Sequence, residues 1–98
     1  MSPYIQDIDL KTTLRLFKIM LFKHSDCDFK VAYRQSNESI FTELSPRYTS
    51  AQLAVESVLL KIIPFIGHGN ECYDGCVVYE GCQFISEQEI NDISRSLE

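Results

Sequence analysis

Two short motifs constrain this chain more than anything else in it. Thr49 stands three residues before Gln52, and Ser86 three residues before Glu89, each ahead of a periodic apolar run. In such a pair the first hydroxyl accepts a bond from the backbone N–H three residues on. The second side chain reaches back to the N–H of the first residue, so two orphan donors of a helix start are satisfied together. Tyr48 with Leu53, and Ile85 with Ile90, are spaced to add the hydrophobic staple that often accompanies this cap.

Each motif therefore predicts a helix. After Thr49, the residues Ala51, Val55, Val58, Ile62 and Ile66 form a buried stripe. Pro64 should kink or end that helix, and Gly67 and Gly69 suit its C-terminal cap and loop. After Ser86, Ile90, Ile93 and Leu97 share a face. Glu87 and Glu89 in the first turn and Arg95 near the last complement the helix dipole.

The N-terminal third reads as a further helix. Asp7 and Asp9 are candidate caps, and Leu10, Leu14, Phe17 and Leu21 recur at i, i+4, i+7 and i+11 on the way to Lys23. Lys11, Arg15, Lys18 and Phe22 trace a second, mostly basic stripe, read as a solvated face. Phe29, Val31 and Tyr33 alternate with Lys30, Ala32 and Arg34, the signature of a half-buried strand. Gln35 to Glu38 is turn chemistry, and Ile40 to Leu44 reads as the returning strand of an antiparallel hairpin. Cys76–Tyr79 and Cys82–Ile85 flank Glu80-Gly81 and read as a second, tight hairpin. The expected order is α-β-β-α-β-β-α. It describes one α+β domain over residues 1–98, an antiparallel sheet of two hairpins covered by helices.

Charge narrows the function classes. The chain of 98 residues carries a net −5, unevenly placed. Residues 1–34 hold six basic and four acidic side chains, whereas residues 35–98 hold three basic and ten acidic. An acidic balance disfavours electrostatically driven binding to nucleic acid and suits a basic protein partner. The longest apolar run, Val58 to Ile66, is broken by Lys61 and Pro64 and falls short of the roughly 20 residues of a membrane span. With no secretory signal in view, the expectation is a soluble cytoplasmic protein whose four cysteines are thiols.

Three chemistries compete for the remaining residues. Cys72, Cys76 and Cys82, with His68, have donor types that suit structural zinc, and His24 or Cys27 could replace His68. The tight C-x-x-C knuckle is missing, however, and a cysteine at a strand position packs well as a small apolar group. A thiol enzyme would place Cys27 beside His24, but the sequence shows no orienting partner for that pair. Glu71, Tyr73, Asp74, Tyr79 and Glu80 combine carboxylates with aromatic contact area, a pattern suited to a basic protein surface. The leading expectation is thus a small acidic protein-binding module that neutralises a basic partner, of the inhibitor, immunity, antitoxin or anti-defence type. A zinc-stabilised domain and a small thiol enzyme are the alternatives. No cofactor is expected in the leading reading. Ile62, Ile63, Phe65 and Ile66 serve either the core or a homodimer contact.

Overall fold

The computed structural model describes residues 4–62, 72–79, 81 and 83–97. In chain order the elements are β1 (Ile5–Thr12), β2 (Leu16–Ser25), β3 (Asp28–Gln35), β4 (Thr42–Glu43), α1 (Ala51–Ile62), β5 (Tyr73–Val78) and α2 (Glu87–Leu97). The strands form one antiparallel sheet in the order β4-β3-β2-β1-β5. Among the described residues the order is therefore β-β-β-β-α-β-α, an α+β domain with two helices rather than the expected three.

The expected helix over residues 7–23 is instead the hairpin β1–β2. The reason lies in a coincidence of periods. Leu10 pairs with Phe17 across the hairpin, and Gln6 with Leu21. Leu10 and Phe17, seven residues apart, imitate two helical turns, and Phe17 to Leu21 is an even step, so a strand also keeps them on one face. Leu14, the fourth member of the supposed stripe, lies in the β1–β2 connection and is 69% exposed. There the Thr12 hydroxyl accepts from the Arg15 N–H at 2.9 Å. Asp7 and Asp9 are strand residues, not helix caps.

The hairpin expected from Phe29 to Leu44 is β3–β4, with Tyr33 opposite Thr42. Its return strand is only two residues long. The second expected hairpin, at residues 76–85, differs: β5 pairs with β1, residues 83–85 are not a strand, and Glu80 and Cys82 lie outside the described residues. The side chain of Gln6 captures that segment. Its Oε1 accepts from Phe84 N–H (2.7 Å) and Ile85 N–H (3.2 Å), and its Nε2 donates to the Ile85 carbonyl (2.8 Å).

The α1 start shifts by one residue. Leu53 N–H donates to the Ser50 hydroxyl at 3.2 Å, so Ser50 takes the capping role expected of Thr49. Gln52 donates to Glu89 at 2.6 Å and ties the two helices together. Leu53 is 48% exposed, so the Tyr48–Leu53 staple does not form a buried pair. The α2 cap is as expected. Glu89 N–H donates to the Ser86 hydroxyl (3.1 Å), and Ser86 N–H to Glu89 Oε1 (3.0 Å), with Ile85 and Ile90 both buried. Pro64, Gly67 and Gly69, and the proposed dimer residues Ile63, Phe65 and Ile66, lie outside the described residues.

Both helices pack on one face of the sheet. Ile8, Leu10, Phe17, Ile19, Leu21 and Val31 meet Val55, Val58, Ile62 and Ile90 there. By strand alternation the opposite face carries Asp7, Asp9, Lys18, Met20, Phe22, Ala32 and Arg34, and no helix among the described residues covers it.

Candidate functional site

The uncovered face is built from residues directly opposite one another in the central strands. Asp9 on β1 lies across from Lys18 on β2, and Lys18 across from Arg34 on β3. Side chains paired in this way stand close enough to interact. Lys18 Nζ donates to Asp9 Oδ2 at 2.9 Å, and the Tyr79 hydroxyl donates to the same oxygen at 2.5 Å. Asp9 is only 7% exposed although no helix lies over it, because these two neighbours close around its carboxylate.

Its bond to Asp9 raises the Lys18 ammonium above its ordinary pKa, and the separate bond from Tyr79 to the same carboxylate raises the Tyr79 hydroxyl. At neutral pH the lysine is therefore charged and the tyrosine a neutral donor. Neither is a nucleophile in that state, so the arrangement fixes charge in place rather than activating it. Arg34 is also committed. It donates to the carbonyls of Gln35, Ser36 and Glu38, and its guanidinium lies 5.2 Å from the ring centre of Phe41. Lys30 pairs with Glu43 on β4.

A groove of about 470 Å³ crosses this face. Met20 and Phe41 line it with apolar surface, while Asp7, Asp9, Lys18 and Tyr79 supply its polar rim. Asp7 is exposed and, among the described residues, has no ion pair.

Of the partner-binding residues expected from sequence, Tyr79 belongs to this site. Tyr73 does not: it faces the helices, where its hydroxyl donates to Asn91 Oδ1 at 2.6 Å. Burial holds that hydroxyl far above the ordinary tyrosine range. A bulge separates the two tyrosines. Lys11 pairs with Gly75 and Thr12 with Tyr73, so Asp74 is an extra residue and the side-chain parity flips. Gly75 adopts φ +111°, which an L side chain rarely takes. Asp74 itself is exposed, while Glu71 and Glu80 lie outside the described residues.

The described cysteines are not gathered at this site. Cys76 is buried against α2, its thiol 3.8 Å from the Glu87 carbonyl and 3.9 Å from Asn91 Oδ1. Burial raises its pKa, which keeps it a protonated thiol. Cys72 and Cys27 are exposed, as is His24, while His68 and Cys82 lie outside the described residues. Among the described residues no three His, Cys, Asp or Glu side chains converge as metal ligands. No helix among them is long and apolar enough to cross a membrane.

The sequence reading missed Asp9, Lys18, Met20 and Phe41 as site residues. An available signal was the alternation Ile8, Leu10 against Asp7, Asp9, which puts the polar pair on one strand face. No protein-family model matches this chain, and neither the curated proteins nor the solved structures yield a match.

Proposed function

We propose that this chain is a small protein-binding module that docks a basic partner protein on the uncovered face of its sheet. The observation that carries this reading is the one-sided helix layer. It leaves an open groove with Met20 and Phe41 as apolar floor and the carboxylates of Asp7 and Asp9 at its edge. Such a surface has the anatomy of a contact patch, an apolar centre with a charged rim. Three cations of the face are already engaged, Lys18 by Asp9, Lys30 by Glu43, and Arg34 by carbonyls and Phe41, while exposed Lys11 lies at the β5 side of it. A lysine or arginine from a partner would thus find Asp7 ready to pair. The net charge of −5 would steer a basic protein toward the chain. Size and acidity suit an inhibitor of the immunity, antitoxin or anti-defence type, acting in the cytoplasm by occupying its target rather than by chemistry.

The test compares partner capture from host extract by the wild-type chain, Met20→Glu, Asp7→Lys and the helix-layer control Gln88→Lys. A single basic protein should be retained by wild type and by Gln88→Lys and weakened roughly tenfold or more by the two groove variants. Equal retention by all four, or loss only with Gln88→Lys, would place the contact elsewhere.

A further inference from the structure

The two edges of the sheet are protected very differently. At one edge β4 is two residues long, flanked by Pro46, and its Glu43 pairs with Lys30. Short length, charge and proline all discourage strand addition. At the other edge β5 runs for six residues, and from Gly75 to Tyr79 it carries no charge and no proline.

The hydrogen-bond phase shows which groups β5 leaves unused. Tyr79 N–H donates to the Asp7 carbonyl at 3.4 Å, and Thr13 N–H to the Cys72 carbonyl at 2.9 Å. In an antiparallel ladder, bonded and non-bonded pairs alternate. The pairs Asp9–Val77 and Lys11–Gly75 therefore bond inward, and the peptide groups of Cys76 and Val78 point away from β1.

We propose that this edge pairs antiparallel with β5 of a second copy of the chain, about a two-fold axis at Val77. This register is the one that sets both outward-facing residues against each other, Cys76 opposite Val78 of the partner and the reverse. It forms four backbone hydrogen bonds from groups that have no partner in the sheet among the described residues. It also sets Tyr79 opposite Gly75 of the second copy. The Tyr79 hydroxyl keeps its bond to Asp9 of its own copy, and a Cβ built on Gly75 meets nothing within 4 Å, so that pair brings no clash. Val77, 37% exposed, meets its own copy on the axis. The strand is thus complementary to itself, which a two-fold contact requires. The product is a continuous ten-stranded sheet. The inference rests on the edge and not on the groove, so each can fail without the other.

Val77→Cys tests the register directly. A residue pair on the axis without mutual hydrogen bonds has its Cα atoms about 4.5 Å apart, inside the range a disulfide spans. In a background with exposed Cys27 and Cys72 changed to Ser, mild oxidation should give a dimer whose peptide map shows the 77–77 link. Leu53→Cys, exposed on α1, should give none at the same concentration. Sedimentation of Val77→Lys and of Val77→Glu should show each dimer weakened roughly tenfold or more, because like charges meet on the axis. Mixing the two variants should restore a heterodimer, which a misfolded chain could not do. A monomeric wild-type chain, or oxidation that links position 77 no faster than position 53, would overturn the proposal.

Discussion

Gln6 shows how much one polar residue can organise. It is 1% exposed, and three hydrogen bonds join it to the backbone of residues 84 and 85, nearly eighty positions away. A buried amide is tolerable only because its donors and acceptor are met. Those bonds deliver Ile85 to the core and set Ser86 where it can cap α2. Gln6→Leu keeps the volume but strands two backbone N–H groups and a carbonyl. It should cost about 3 kcal/mol, read as a lower urea midpoint at unchanged slope. A loss within about 0.5 kcal/mol would show that the segment holds its place without the clamp. Nothing in the sequence marks this role. A glutamine near the N-terminus reads as surface, because its partners are backbone groups brought up by the fold.

At the scale of elements, what was legible depended on whether the signal was local. The α2 start is a reciprocal bond pair within four residues, and it forms as the spacing of Ser86 and Glu89 implies. The β3 alternation is equally local. The β1–β2 hairpin was misread because its partners, seven apart, satisfy a helical template as well as a strand one. The clustering of Ile5, Ile8, Thr12, Thr13, Phe17 and Ile19 favours strand and could have decided it. The pairing of β5 with β1 spans more than sixty residues, and no local pattern encodes it. The site inherits these limits: Tyr79 was legible as an aromatic beside acids, whereas Asp9 and Lys18 meet only once the hairpin exists.

The α2 cap also yields a pH prediction. Bonding from Gln52, then from the Ser86 backbone and hydroxyl, lowers the Glu89 pKa from its ordinary 4.5. A depressed carboxylate adds stability that is present above the unfolded pKa and lost as pH falls through the folded one. Ser86→Ala should cost about 1 kcal/mol at neutral pH. Glu89→Gln, which cannot ionise, should flatten the decline of stability below pH 4.5, followed by thermal melts from pH 6 to pH 3. A decline as steep as wild type would remove Glu89 from the acid response.

For the molecule as a whole, the decisive property is that the sheet has one covered face and one open face. Consecutive residues of a single strand then have opposite fates. Ile19 is 1% exposed and points into the helix layer, whereas Met20 lines the open groove. Ile19→Ala should cost about 2–5 kcal/mol, because it opens a cavity where α1 and the sheet meet. Met20→Ala leaves no enclosed void and should fall within about 1 kcal/mol of wild type. The same contrast should recur at Leu21 and Phe22, since the pattern belongs to the sheet and not to one site. Urea unfolding of the four alanine variants measures it. Equal costs at Ile19 and Met20 would mean that something covers the second face in the isolated chain. Unequal costs would mean that Met20 contributes little to folding, which leaves its apolar side chain available to the partner the groove is proposed to bind.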